Sequence, residues 1–164
     1  MNREMIDLPK TRSPHDLLQE QQVGRPHGVW RILVVCQLLN RTHGRQVRPI
    51  ADERYGSPIF ARWPTPHLLA TSRTAELRDL IKPLGFADQR SRSLQTMSRQ
   101  YNAMLFADPN FWRGYEDGGW CKGLAGCGDY AKESLNLIVY GILDAPTTDH
   151  WLIRYRDWRL KEVK

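Results

Sequence analysis

Apolar positions along this chain recur at intervals of three and four, the spacing of helices, and no convincing stretch alternates with a period of two. Residues 30–39, "WRILVVCQLL", are apolar nearly all round, which predicts a helix buried at the centre of a helical protein. In "AELRDLIKPLGF" the residues Leu77, Leu80, Ile81 and Leu84 share one face, and Pro83 and Gly85 end the pattern. "SLQTMSRQYNAML" puts Leu94, Met97, Tyr101, Met104 and Leu105 on one face. "YAKESLNLIVYGIL" predicts a long apolar helix over residues 130–143. "TDHWLIRYRDWRLKE" predicts a last helix with Trp151, Leu152, Tyr155, Trp158 and Leu160 inward. The expected class is all-α, with short loops rich in Pro and Gly, and only residues 1–12 loosely attached.

Length and charge narrow this picture. The 164 residues suit one domain, or one domain of two lobes, with enough chain to bury a real core. Against 18 Asp and Glu stand 24 Lys and Arg, a surplus of +6, compatible with a phosphate backbone as partner. The longest apolar run is about half of what a membrane span needs, and "MNREMIDLPK" has no apolar signal core. An intracellular, reducing setting is expected. Cys36, Cys121 and Cys127 are too few for a disulfide framework and too isolated for a zinc or iron–sulfur site. His15, His27, His43, His67 and His150 have no metal-ligand spacing, so no metal site is expected.

The candidate chemistry sits near "LAGCGDYA", residues 124–131, where Leu124, Gly126 and Gly128 form L-x-G-x-G just before a helical run. Glycine tolerates positive φ, so successive amides can point to one side. Such a cradle beside a helix N-terminus binds an anion without a charged side chain. This is how a helix–hairpin–helix holds a DNA phosphate. Asp149 follows 21 positions after Gly128, at the head of the last predicted helix. Taken alone, Asp149 reads as an N-cap, a role that Thr147 and Thr148 also suit.

Hairpin, helix and Asp at this spacing resemble the helix–hairpin–helix (HhH-GPD) DNA glycosylase superfamily. The resemblance is to the branch acting on mispaired thymine: the catalytic domain of the vertebrate methyl-CpG-binding thymine glycosylase and the archaeal and bacterial mismatch glycosylases. It covers roughly residues 12–162. "RSPHDLLQE" resembles the strand leading into the catalytic lobe, "LLNRT" the helix-end motif, and "IKPLGF" the wedge loop. "LAGCGDY" resembles the hairpin, and "PTTDHWLIRYRDW" the catalytic turn and final helix.

The resemblance implies two helical lobes with a cleft between them. The middle lobe would span roughly 45–128, and the N-terminal segment would join the C-terminal helices in the other, within a domain of residues 13–164. Asp149 would be the catalytic carboxylate, with Tyr130 where strand-cutting relatives carry a nucleophilic Lys. Gln19 and Tyr130 would contact the flipped base. Arg41 would fill the space it leaves, Phe86 would be the wedge, and Leu124, Gly126 and Gly128 would hold a phosphate. Read without the resemblance, Arg41 is a surface cation at a helix end, Phe86 a core residue after a glycine turn, and Tyr130 a ring packed beneath the hairpin. "QEQQ" offers neighbours that could replace Gln19.

The implied activity is release of thymine or uracil mispaired with guanine, without strand cleavage, by a monomer on double-stranded DNA carrying a mismatch or damaged base. Location would be cytoplasm or nucleoid in a prokaryote and nucleus in a eukaryote. No cofactor is implied, since the cluster cysteines of related branches are absent; a monovalent cation at the hairpin stays open. Two departures stand out. Trp151 occupies a position near the base where the vertebrate enzyme has Lys, and "QQVGRPHGVW" is longer than its counterpart. Another base (a modified pyrimidine, or mispaired adenine) and a non-catalytic DNA-structure binder remain as alternatives.

Overall fold

The computed structural model describes residues 15–22 and 27–162. Residues 1–12, expected to be loosely attached, lie outside that range, as does part of the long segment before Trp30. The described residues form helices α1 (Asp16–Gln22), α2 (Gly28–Leu39), α3 (Gly44–Ala51), α4 (Pro58–Arg62), α5 (Pro66–Ala70), α6 (Thr74–Ile81), α7 (Ala87–Ala107), α8 (Asp129–Ile138) and α9 (His150–Glu162), and no strand. The fold is all-α.

Helix α2 organises the molecule because it is apolar on every side: Trp30 and Ile32 to Gln37 and Leu38 are all buried, and α1, α3, α7 and α8 pack around it. Trp30 is fully enclosed, its ring edge-on to Phe60 at 5.6 Å. Its indole N–H donates to Ser98 Oγ on α7 at 2.9 Å, so the one polar atom of the ring is satisfied. Gln37, also buried, donates to the Ala125 carbonyl at 2.9 Å and accepts from Ser93 Oγ at 3.0 Å. It thereby locks α2 to the hairpin and to α7. A second polar knot ties α1 to α3: Arg48 bridges Asp16 and Asp52 at 2.7 Å each, and Arg54 adds a further 2.7 Å contact to the fully buried Asp52.

Several expectations are corrected. The described part of "RSPHDLLQE", from His15, is not a strand: Asp16–Gln22 is helix α1, because Leu17, Leu18 and Gln21 fall on one helical face and are buried. Helix α8 stops at Ile138, and Gly141 turns the chain at φ 65°. Val139 to Leu143 therefore belong to an eleven-residue connection running to Asp149, longer than the short loops expected. In α9, Leu152 and Tyr155 are inward, but Trp151 and Leu160 are about half exposed. Leu160 is five positions past Tyr155, about 140° round the helix. The first arm of the hairpin is a 3-10 helix, Gly118–Gly123. Its three glycines disfavour an α-helix. One of them, Gly118, lets this arm press onto α8, where an added Cβ would fall 2.7 Å from Leu135 Cβ.

Candidate active site and nucleic-acid interface

Asp149 is both a helix cap and a cavity residue. Its Oδ1 accepts from the Leu152 amide at 2.9 Å, the third amide of α9, and its own amide donates to Thr147 Oγ1 at 3.2 Å. The Thr147 hydroxyl donates in turn to Glu133 on α8 at 3.1 Å. One carboxylate oxygen is thus fixed by the helix, where the macrodipole favours negative charge. The residue itself lines a cavity of about 660 Å³, within the size range of small-ligand sites.

Around this cavity stand residues from four parts of the chain: His15 and Leu17, the segment from Leu39 to Arg45, Tyr130 at the start of α8, and Asp149 with Trp151. Tyr130 is one residue into α8, so the hairpin that begins the helix also delivers its ring to the cavity. Its hydroxyl and His15 Nε2 are 2.7 Å apart. Burial raises the Tyr130 phenol above its ordinary value, and the nearby Cys36 and Asp149 act in the same direction. Burial also pushes the His15 imidazole down to about 4, assisted by Arg48 and opposed by the charges of Asp149 and Asp16. At neutral pH the pair is therefore an uncharged phenol against an uncharged imidazole.

Arg41 lies on the cavity wall, exposed, with a left-handed φ of 57°. Phe86 is away from the cavity on a turn of its own. It is 70% exposed and not a core residue, and its φ is 51°. Gly85 before it has φ 80° and ψ 163°, a combination open only to glycine. No atom lies within 4 Å of a Cβ built there, so backbone torsion and not space demands the glycine. Gln19 is not among the residues lining the cavity; its Oε1 is buried with no hydrogen-bond partner among the described residues. Trp151 lines the cavity with half of its surface exposed, and the Arg154 guanidinium lies 5.2 Å from its ring centre. Lys132 instead lines a separate hollow with Asp117, Asp129 and Glu133, as its displacement of about 200° from Tyr130 on a helix requires.

In the hairpin, Leu124 is buried, Gly126 has φ 73°, and Gly128 is the residue before α8 with an ordinary φ of −119°. The two glycines differ in what surrounds them. A Cβ on Gly126 would run into Ser93 and Gln37, whereas one on Gly128 would meet nothing within 4 Å. Gly128 is exposed, so the first amides of α8, which have no intrahelical acceptor, begin at open surface.

His15 has no signal in the sequence, because its partner Tyr130 is 115 positions away. The three cysteines are free and buried, with burial pushing the Cys121 and Cys127 thiols up to about 12. Among the described residues no cluster could hold a metal ion, and no helix is long and apolar enough to cross a membrane.

The profile of the HhH-GPD superfamily base excision DNA repair protein matches residues 45–149. Three curated proteins are similar. The methyl-CpG-binding domain protein 4-like protein of Arabidopsis thaliana is 32% identical over 90% of this chain and 29% of its own length. The thymine-DNA glycosylase of Aeropyrum pernix is 38% identical over 45% of this chain and 31% of its own. The thymine/uracil-DNA glycosylase of Pyrobaculum aerophilum is 30% identical over 76% of this chain and 50% of its own. The chain thus spans between about a third and a half of these relatives.

Proposed function

Because this chain belongs to the HhH-GPD superfamily of base excision DNA repair proteins, we propose that it is a monofunctional DNA glycosylase. It turns thymine or uracil mispaired with guanine out of the duplex and releases the base, leaving an abasic site. The observation carrying this reading is Asp149, a carboxylate anchored by a helix N-terminus and facing a cavity beside the Tyr130–His15 pair.

Each residue has a task in this reading. A base inside a duplex cannot be reached, so extrusion costs a few kcal/mol; Arg41 and Phe86 fill the gap and hold the kinked helix. The hairpin amides at Gly126 and Gly128 hold a backbone phosphate and fix the register. Breaking the N-glycosidic bond builds positive charge on the sugar. The ionised carboxylate of Asp149 stabilises that charge and orients the attacking water, which adds at the sugar carbon as the base departs. A phenol cannot form an imine, so Tyr130 shapes the pocket and the strand stays whole. Names of two relatives, a thymine-DNA glycosylase and a thymine/uracil-DNA glycosylase, support the choice of bases. Trp151 on the cavity wall favours a second reading, in which a modified pyrimidine replaces thymine.

The test is a panel of labelled duplexes, each with one candidate base opposite guanine, scored for base release before and after alkali. Release from G·T or G·U with a break only after alkali, and no borohydride-trapped adduct, is expected. A trapped wild-type adduct overturns the monofunctional reading. Release of no base from any duplex overturns the enzyme and leaves the non-catalytic binder.

A further inference from the structure

Arg90, in the first turn of α7, points back to the end of α2. Its Nη1 donates to the Gln37 carbonyl at 2.8 Å and to the Leu38 carbonyl at 3.3 Å. Its Nη2 donates to the Asn40 carbonyl at 2.7 Å and to Thr42 Oγ1 at 3.0 Å, and its Nε donates to the Gly85 carbonyl at 3.0 Å. A guanidinium has five N–H groups, and here it makes five hydrogen bonds. All five acceptors are neutral oxygens, and among the described residues Arg90 forms no ion pair.

Two of these acceptors are in special places. The Asn40 carbonyl belongs to the peptide unit immediately before Arg41, and the Gly85 carbonyl to the unit immediately before Phe86. Both following residues have left-handed φ, 57° and 51°, a conformation that costs a non-glycine residue energy and persists where its surroundings enforce it. One side chain therefore grips the two peptide planes whose orientation aims Arg41 and Phe86. Capping α2 accounts for the contacts to Gln37 and Leu38. It does not account for the reach to Gly85, which is on a different loop.

Resting on the glycosylase reading above, we infer that Arg90 is a positioning residue that couples the two loops, so that Arg41 and Phe86 enter the duplex as one body. Neither Arg41 nor Phe86 makes the coupling itself; it passes through the carbonyls that Arg90 holds. Arginine is required because an ammonium is a point donor and cannot span both loops at once.

The experiment compares wild type with Arg90→Lys and Arg90→Met on two substrates: a duplex with a G·T or G·U pair, and the same target base unpaired in single-stranded DNA. The unpaired base needs no extrusion and leaves no gap. In Arg90→Lys the single-turnover rate on the duplex should fall by about tenfold or more, with Kd for the duplex changing less. The rate on the unpaired base should stay within about threefold of the starting value. Melting temperatures check folding. Where Arg90→Met does not fold, Arg90→Lys carries the test, since its ammonium still caps α2. An equal fall on both substrates, or no fall on either, overturns the inference. A double-mutant cycle of Arg41→Ala and Phe86→Ala needs no change at Arg90: the two should be non-additive in wild type and additive in Arg90→Lys. Additivity in wild type overturns the coupling. The cycle is also read in 2-aminopurine fluorescence beside the mispair, which reports extrusion without chemistry. This separates failure of the coupling from failure of the glycosylase reading.

Discussion

On the proposed reading Asp149 serves fold and chemistry together. Its Oδ1 is committed to the Leu152 amide, and asparagine can accept that same bond and ranks with aspartate as an N-cap. Asp149→Asn is therefore a clean removal of charge. Unfolding free energy should change by less than about 1 kcal/mol, duplex binding should persist, and base release should drop by at least about a hundredfold, measured in single-turnover assays beside binding titrations. Parallel loss of binding and release would make Asp149 a structural cap only. His15 predicts a pH effect. Its folded value, about 4, lies below the ordinary 6.5, so the unfolded chain binds the proton first as pH falls. The stabilisation is complete above about 6.5 and is lost between there and 4, reaching about 3 kcal/mol when spent. His15→Phe should flatten the fall in melting temperature over this window. An unchanged slope would show that other groups govern the acid limb.

At the scale of elements, the proposed reading has the hairpin glycines separate a folding requirement from a binding one. Gly126 has both a positive φ and two side chains, Ser93 and Gln37, where its Cβ would go, so Gly126→Val should destabilise the fold. Gly128 has an ordinary φ and open space. Gly128→Val should fold normally and place its branched side chain where a phosphate approaches the α8 amides. Binding should weaken by about tenfold, the worth of a hydrogen bond to a charged group, and equally for matched and mismatched duplexes, since a phosphate contact carries no base information. Gel-shift titrations across a set of duplexes check this. A loss confined to one mispair would move the hairpin from the backbone to the base. On the proposed reading the same separation applies at the next turn, where Gly85 is demanded by torsion and the exposed Phe86 would be the wedge.

Over the whole molecule, α2 joins core and site. Its interior residues carry the packing, and its C-terminal carbonyls meet Arg90 just before the loop that bears Arg41. Trp30→Ala should cost about 3–5 kcal/mol, from a lost ring contact with Phe60, a cavity, and a Ser98 hydroxyl without its indole partner. That is a large share of the stability of about 5–15 kcal/mol usual for a domain. Urea denaturation should show a lower midpoint with an unchanged slope. A cost under about 1 kcal/mol would mean that neighbours collapse into the space.

The sequence by itself determined the all-α class, the central helix at residues 30–39, the helices after Arg73 and around Tyr101, and the glycine hairpin before α8. These follow from local rules: helical spacing of apolar residues, and backbone freedom at glycine. It also marked Asp149 as the head of the last helix. Only the tertiary structure decided which face of α9 turned inward, that Asp16–Gln22 coils into α1, and that Ile138 ends α8. It alone brought His15 against Tyr130 across 115 positions, left Gln19 off the cavity wall, and set one guanidinium between the loops of Arg41 and Phe86. These depend on contacts between residues far apart in the chain. No local pattern encodes them, because a hydrogen bond between distant residues is specified by the packing of the helices that carry them.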